Sequence, residues 1–190
     1  MSEQEHEKKE EHISLKQDVY YWVKMIVVAL VSMILVFTMV GRVIGVVGPS
    51  MQPTLHEGDR MLLQILGYEP KAGDVVVLRK ESFMSEPIVK RIIATGGQHV
   101  QVDIPNNAVY VDGVKLDEPY INEPMVPVSY LMEGGVLDVV VPEGSVYVMG
   151  DNRNHSNDSR DLHLGTVDEQ FIIGRALCII FPFRDFGIIH

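Results

Sequence analysis

Seventeen consecutive residues, Met25 to Gly41, carry no charge, and Lys24 and Arg42 close the run on either side. Taken from Trp22 to Ile44, with the flanking cations reaching back to polar surroundings, the stretch is long enough to cross a bilayer as one helix. It fixes one element as an anchor and leaves the remainder to fold outside the hydrocarbon. Tyr20, Tyr21 and Trp22 supply aromatic rings where a membrane interface wants them. The run exceeds the roughly 7–15 residues of a secretory signal core, and no small-residue cleavage pattern follows it, so an uncleaved transmembrane anchor is expected over 21–44. Residues 1–20 hold six acidic side chains against Lys8, Lys9 and Lys16 and little to bury, the composition of a solvated, disordered tail. Lys8, Lys9, Lys16 and Lys24 outnumber Arg42 and Arg60, which puts the tail in the cytoplasm. Residues 45–190 then fall on the extracytoplasmic face of the cell membrane.

Past Ile44 the apolar pattern changes to short or alternating runs: Arg60–Leu63, Asp74–Leu78, Pro87–Ala94, His99–Val102, Ala108–Val111, Ser145–Met149 and Phe171–Phe181. Turn chemistry separates them, as in Glu57-Gly58-Asp59, Lys71-Ala72-Gly73, Asp112-Gly113 and Pro142-Glu143-Gly144. The expected fold is mainly β, a single N-terminal helix followed by an antiparallel domain resembling a barrel or sandwich. Residues 97–145 read as a less regular, variable insert, with Pro119–Asp138 as a long connection or flap. A formal net charge of −10 supplies no basic patch and excludes nucleic acid as a partner. Cys178 is the one cysteine, so disulfides within the chain and Cys-rich metal sites are out, and in Ala176-Leu177-Cys178-Ile179-Ile180 it reads as a buried thiol.

Chemistry concentrates in three places. In Gly48-Pro49-Ser50-Met51-Gln52-Pro53-Thr54-Leu55, Ser50 lies between two prolines, which predicts a stiff, water-facing turn. In Ile88-Val89-Lys90-Arg91-Ile92-Ile93, alternation sends Lys90 and Arg91 to opposite faces, so one of the two must face the more buried side. Were that Lys90, desolvation would lower its pKa and make the neutral amine a general base, a role closed to arginine. Otherwise Lys90 is a charge guarding a sheet edge. A serine hydroxyl needs a base within reach, and Ser-Lys is a known variant of the triad arrangement. A Ser-His pair through His56 or His155 is a lesser alternative. The third stretch, Gly150 to Arg160, is dense in Asp, Asn, Arg and Ser; Arg153 breaks the oxygen-ligand alternation of a calcium loop, so no metal is expected. Ser156 is placed to orient an amine there, with Asp158 and Arg160 as braces.

Together, Ser50-Met51-Gln52-Pro53-Thr54-Leu55, Lys90-Arg91-Ile92-Ile93 and Gly150-Asp151-Asn152-Arg153-x-x-Ser156-x-Asp158-Ser159-Arg160 resemble the conserved boxes of bacterial type I signal peptidases. The order, the spacing and the preceding anchor match the short, single-anchor enzymes of Gram-positive type. The resemblance implies a membrane-bound serine endopeptidase that removes signal peptides from exported preproteins after small residues. Its partners would be those preproteins, the lipid bilayer and the protein-export machinery, and it would need no cofactor. By the same resemblance Ser50 is the nucleophile, Lys90 the base, Ser156 the partner of the lysine amine, Asp158 and Arg160 the supporting ion pair, and Asp151 with Arg153 the turn that shapes the site. Val46, Met51, Leu55, Ile88 and Val89 match the apolar substrate pockets. The family often has serine or threonine two residues before the nucleophile; with Gly48 there, the oxyanion hole falls to the Ser50 N–H together with a glycine N–H or a water. Rival readings are a repressor-type autoprotease, which needs a DNA-binding domain, a silent tethered binding protein, and a structural surface module that leaves Lys90 unexplained.

Overall fold

The computed structural model describes residues 17–34, 41–127 and 135–189. Helix α1 spans Gln17–Ile34 and is long and apolar enough to cross a membrane, with none of its apolar window buried in protein. It begins inside the stretch expected to be tail, and residues 1–16 lie outside the described set. The far end of the expected anchor needs a correction. Gly41–Gly45 form β1, paired residue by residue with β2 (Arg60–Gln64). An apolar run does not tell a helix from an edge strand, and here pairing with β2 decides.

Residues 41–189 contain two antiparallel sheets. In the larger, the order is β1, β2, β11 (Ile172–Phe181), β3 (Val75–Leu78), β4 (Ile88–Thr95), β9 (Ser145–Met149) and β10 (Val167–Asp168), with β12 (Gly187–Ile188) on β11. The long β11 pairs with both β2 and β3 and shifts register three times, each shift a bulge or irregularity that bends the strand and helps curl the sheet toward a half-barrel. The smaller sheet runs β7 (Val114–Lys115), β6 (Ala108–Val111), β5 (His99–Asp103) and β8 (Asp138–Val140). The mainly β expectation therefore holds. Much of the supposed irregular insert is this second sheet, with its own core of Val100, Val102, Val109 and Val111 under Tyr147 and Met149.

Curling buries both faces of the central strands, and the period-2 pattern turns into a continuous apolar run. In β3, Val75 and Val77 join one cluster with Met51, Leu55, Met61 and Leu63, while Val76 and Leu78 join another with Ile92, Val146 and Val148. β4 lies between β3 and β9 in this doubly covered region. Lys90 and Arg91 are consequently both buried, 3 % and 2 % exposed, where alternation on a one-sided sheet would have spared one of them.

Candidate active site

Ser50 stands on the connection between β1 and β2. The loop is closed at its neck, where the Val46 N–H donates to the Asp59 carbonyl oxygen (2.8 Å) and the Gly58 N–H to that of Val46 (3.0 Å). Within it, the Gln52 N–H donates to Pro49 O (3.1 Å) and the Leu55 N–H to Met51 O (2.9 Å), winding the chain into turns. Those turns sink Met51 and Leu55 into the core and leave Ser50 half-buried at the rim. Gly48 takes φ +81°, the left-handed region open to glycine, and no atom lies within 4 Å of where a Cβ would stand.

Lys90 comes to the same rim from the sheet. β4 pairs with β3 from Ile88 to Arg91, but its pairing with β9 starts only at Arg91. Ile88, Val89 and Lys90 are thus hydrogen-bonded as a strand on one side alone. Beside them runs a cleft of about 250 Å³, lined by Ile44, Val47, Met84, Pro87, Ile88 and Val89 together with Ser50 and Lys90. Lys90 Nζ lies 2.9 Å from Ser50 Oγ and 2.9 Å from the Val89 carbonyl oxygen. Among the described residues no carboxylate bonds this amine. Burial pulls its pKa down from 10.5 to about 8; the charge of Arg160 pulls the same way, and those of Asp158 and Asp151 oppose it. At pH 7 to 8 a usable fraction of the amine is neutral, 2.9 Å from a hydroxyl: the requirement for taking its proton is met.

The 150–160 loop is the frame around this pair. Asp158 and Arg160 are fully buried, with Arg160 Nε donating to Asp158 Oδ1 (2.8 Å) and NH2 to Oδ2 (2.9 Å). Burial alone would raise the Asp158 pKa, but the Arg160 charge, with hydrogen bonds from Arg160, the Gly150 N–H and Ser156, holds it below the ordinary value. Ser156 Oγ donates to Asp158 Oδ2 (2.7 Å). Gly150 sits between Ser156 and Ser50, and a Cβ there would strike both Ser156 Oγ and the Ser50 carbonyl oxygen.

Asp151 and Arg153 do not pair side chain to side chain. Asp151 takes Nε (2.8 Å) and NH2 (2.7 Å) of Arg91, the fork geometry that suits guanidinium to carboxylate, and also accepts from Thr54 Oγ1 (2.5 Å). Arg153 reaches back to Gly150 O and out to Glu118, its NH2 donating at 2.5 Å. Asn152 completes the join to the serine turn, its N–H donating to Ser50 O (3.0 Å) and its Nδ2 to Pro49 O (3.1 Å). Thr54 and Asn152 stand within the sequence motifs without an assigned role, and Glu118 and Tyr120 stand outside them. Glu118 and Tyr120 lay at the edge of a segment without a period, and a run with no pattern gives no hint of what it packs on.

Of the substrate-pocket residues expected, Ile88 and Val89 line the cleft. Val46, Met51 and Leu55, 4 %, 1 % and 0 % exposed, lie instead in the core cluster that Val89 shares. Among the described residues no histidine ring bonds Ser50; His56 and His155 are both exposed. The edge-charge reading of Lys90 fails on its burial.

The geometry agrees with what the chain resembles. The family model described as signal peptidase, peptidase S26, matches residues 19–181. Signal peptidase I of Bacillus licheniformis is 35% identical over 182 residues, covering 93% of this chain and 96% of that protein. A probable signal peptidase I-1 of Synechocystis sp. is 38% identical over 176 residues, 87% of this chain and 84% of that one. Among solved structures, a signal peptidase I from Enterococcus faecalis aligns with TM-score 0.46 and 26% identity, over 57% of this chain and 97% of that one.

Proposed function

The chain belongs to the signal peptidase family, peptidase S26, and on that footing we propose that it is a membrane-bound serine endopeptidase that removes N-terminal signal peptides from exported preproteins with a Ser50–Lys90 dyad. The observation that carries the dyad is the 2.9 Å approach of a buried amine to a serine oxygen beside a half-open strand. In this reading neutral Lys90 takes the Ser50 proton as Oγ attacks the carbonyl of the −1 residue. Lys90 then returns the proton to the departing amine, and a water, activated by the same amine, hydrolyses the ester. The Ser156 hydroxyl, fixed by its bond to Asp158 (2.7 Å), is the group assigned to orient the amine during the reaction. The tetrahedral oxygen is received by the Ser50 N–H, with Gly48 leaving open room beside it for a further donor such as a water.

The preprotein adds as a strand along Ile88–Lys90, where β4 lacks a neighbour, and main-chain bonds give affinity. Alternate side chains then meet an apolar cleft of about 250 Å³, which favours small groups of the A-x-A kind near the cut. Val46, Met51 and Leu55 act from beneath, as packed support for that surface. Helix α1 tethers the enzyme to the cell membrane as a single span with the N-terminus cytoplasmic, so that residues 45–190 work on the extracytoplasmic face, with the bilayer and the export machinery as neighbours.

Mass spectrometry of one exported preprotein incubated with the full-length enzyme in detergent tests the assignment. Wild type should cut once, after a small residue at −1, and Ser50→Ala should give no cut while retaining its unfolding transition. Continued processing by the Ser50→Ala protein would remove the nucleophile, and a cut after large residues would remove the specificity.

A further inference from the structure

The residues 118–126 form a strap over the back of the dyad's frame, and its anchoring is unusual for a loop. Glu118, 6 % exposed in its side chain, takes both NH1 and NH2 of the fully buried Arg153. The Tyr120 hydroxyl donates to Glu118 Oε1 (3.1 Å). The Tyr120 ring lies with its centroid 4.0 Å from the Arg91 guanidinium carbon and 6.0 Å from that of Arg153. Further along, the Met125 N–H donates to Asn107 Oδ1 (2.7 Å), and Asn154 bonds Glu123, Pro124 O and the Val126 N–H.

Two guanidinium groups, one from the strand that carries Lys90 and one from the loop that carries Ser156 and Asp158, are thus brought to a single aromatic ring. Like charges in a buried space repel, and an aromatic face backed by a carboxylate is what lets them share it. Arg91 is the residue next to Lys90, and its fork holds Asp151, which holds Thr54 on the serine turn. Tyr120 therefore touches a connected set of contacts that joins all three parts of the site, while contributing nothing to the cleft itself.

We propose that Tyr120 is a positioning residue: its ring, laid on Arg91 and fixed by Glu118, sets the spacing between β4 and the 150–160 loop and thereby the approach of Lys90 Nζ to Ser50 Oγ. This rests on the Ser50–Lys90 reading. A displacement of about 1 Å in such a pair costs up to roughly 100-fold in rate, whereas substrate binding, which uses the open side of β4, is left alone. The signature is a fall in kcat at constant KM.

The experiment compares full-length wild type, Tyr120→Leu, Tyr120→Phe, Glu118→Gln and a control, Val109→Ala, in the core of the second sheet. Steady-state kinetics on a synthetic signal-peptide substrate are read beside the melting temperature. Tyr120→Leu should lose about 10–100-fold in kcat with KM within about twofold, and acylation by a serine-directed peptide inhibitor should slow by the same factor. Tyr120→Phe, which keeps the ring, should recover to within about threefold of wild type. Glu118→Gln should fall between the two, and serves as the decisive variant should Tyr120→Leu fail to fold. Val109→Ala should lose melting temperature without losing kcat. The inference is overturned if Tyr120→Leu, or Glu118→Gln in its place, keeps its kcat, if only KM moves, if Tyr120→Phe is as impaired as Tyr120→Leu, or if Val109→Ala loses kcat in step with its melting temperature. Ser50→Ala, run alongside, separates the two claims: an inactive Ser50→Ala with a fully active Tyr120→Leu sinks this inference alone, and an active Ser50→Ala sinks both.

Discussion

Lys90 and Arg91 are consecutive, cationic by type and almost equally buried, yet they belong to two regions that treat charge in opposite ways. On the cleft side, the Lys90 amine bonds, among the described residues, the neutral oxygens of Ser50 and Val89. On the frame side, Arg91 is matched by both oxygens of Asp151, by the Gly73 carbonyl and by the face of Tyr120. The frame continues in the same manner through Asp158–Arg160 and Glu118–Arg153. A network in which each buried guanidinium faces a carboxylate is stiff and keeps its charges. A buried amine with no carboxylate bonded to it holds its proton more weakly. The stiffness of one region is what keeps the other region's amine from finding relief.

The largest effect is expected where that contrast is erased. Lys90→Met keeps the volume and removes the base, so cleavage should fall by about 10⁴-fold or more, and Lys90→Arg should be as inactive although it restores a charge. Lys90→Met should not unfold the protein, because methionine suits a buried site better than a charged amine. Measurable turnover by Lys90→Arg, followed as product formation over hours, would transfer the base role elsewhere.

The frame side should behave in the reverse sense, failing in stability. Asp158→Ala strips Arg160 of its buried counter-ion, a change that costs about 3–5 kcal/mol, and urea unfolding should report it. A loss below about 1 kcal/mol would mean that the pair is dispensable to the fold. The Asp158 contribution is present at neutral pH, where the carboxylate is ionised in both folded and unfolded chains. Because its folded pKa is depressed, that contribution should disappear as pH falls through the folded value.

Much of this contrast is legible in the sequence. β2, β3, β4, β5, β6, β9 and β11 lie within one or two residues of the runs read from the sequence, because each is a strongly apolar segment bounded by turn residues. β1, β7, β8, β10 and β12 do not: β7, β8, β10 and β12 have only two or three residues, β1 continues the apolar run of the anchor, and a local pattern carries no record of the partner that decides such strands. The same limit applies at the site. Ser50, Lys90 and the 150–160 loop stand out by type and spacing, and so does the Asp158–Arg160 pair. That Asp151 belongs to Arg91 and Arg153 to Glu118 follows from how three distant segments pack.

The pH dependence of the cleft side has its own sign. With a folded pKa of about 8 against an ordinary 10.5, the unfolded chain holds its Lys90 proton longer, so stability should rise with pH across that window. The fold carries the cost of the buried charge, about 3 kcal/mol, below pH 8 and is free of it above 10.5. Tyr68 and Tyr120, whose hydroxyl pKa values are raised mainly by burial, pull the other way at the alkaline end. The difference between wild type and Lys90→Met, followed by urea unfolding from pH 7 to 10, isolates the lysine: wild type should gain on the variant as pH increases. Activity should rise by about tenfold per unit below pH 7 and level off above about pH 8, as the neutral amine becomes the major form. A flat difference in stability would mean that the amine is charged in the fold throughout.

The smallest effects come from two glycines that sample the two regions with the same added methyl group. Gly48, on the cleft side, has open space around it and only its backbone angle to protect, so Gly48→Ala should cost about 1 kcal/mol through left-handed strain alone. Gly150, on the frame side, has no room: a methyl group there collides with Ser156 Oγ and with the Ser50 carbonyl oxygen. Relief must come from moving the serine turn or the loop, at about 1–3 kcal/mol, and either movement changes the distance between Oγ and Nζ. Gly150→Ala should therefore lose more stability than Gly48→Ala and should lose kcat as well. Equal stability losses in urea, with kcat unchanged in Gly150→Ala, would show that the frame yields as readily as the cleft, and the distinction between a rigid support and an open working face would not survive.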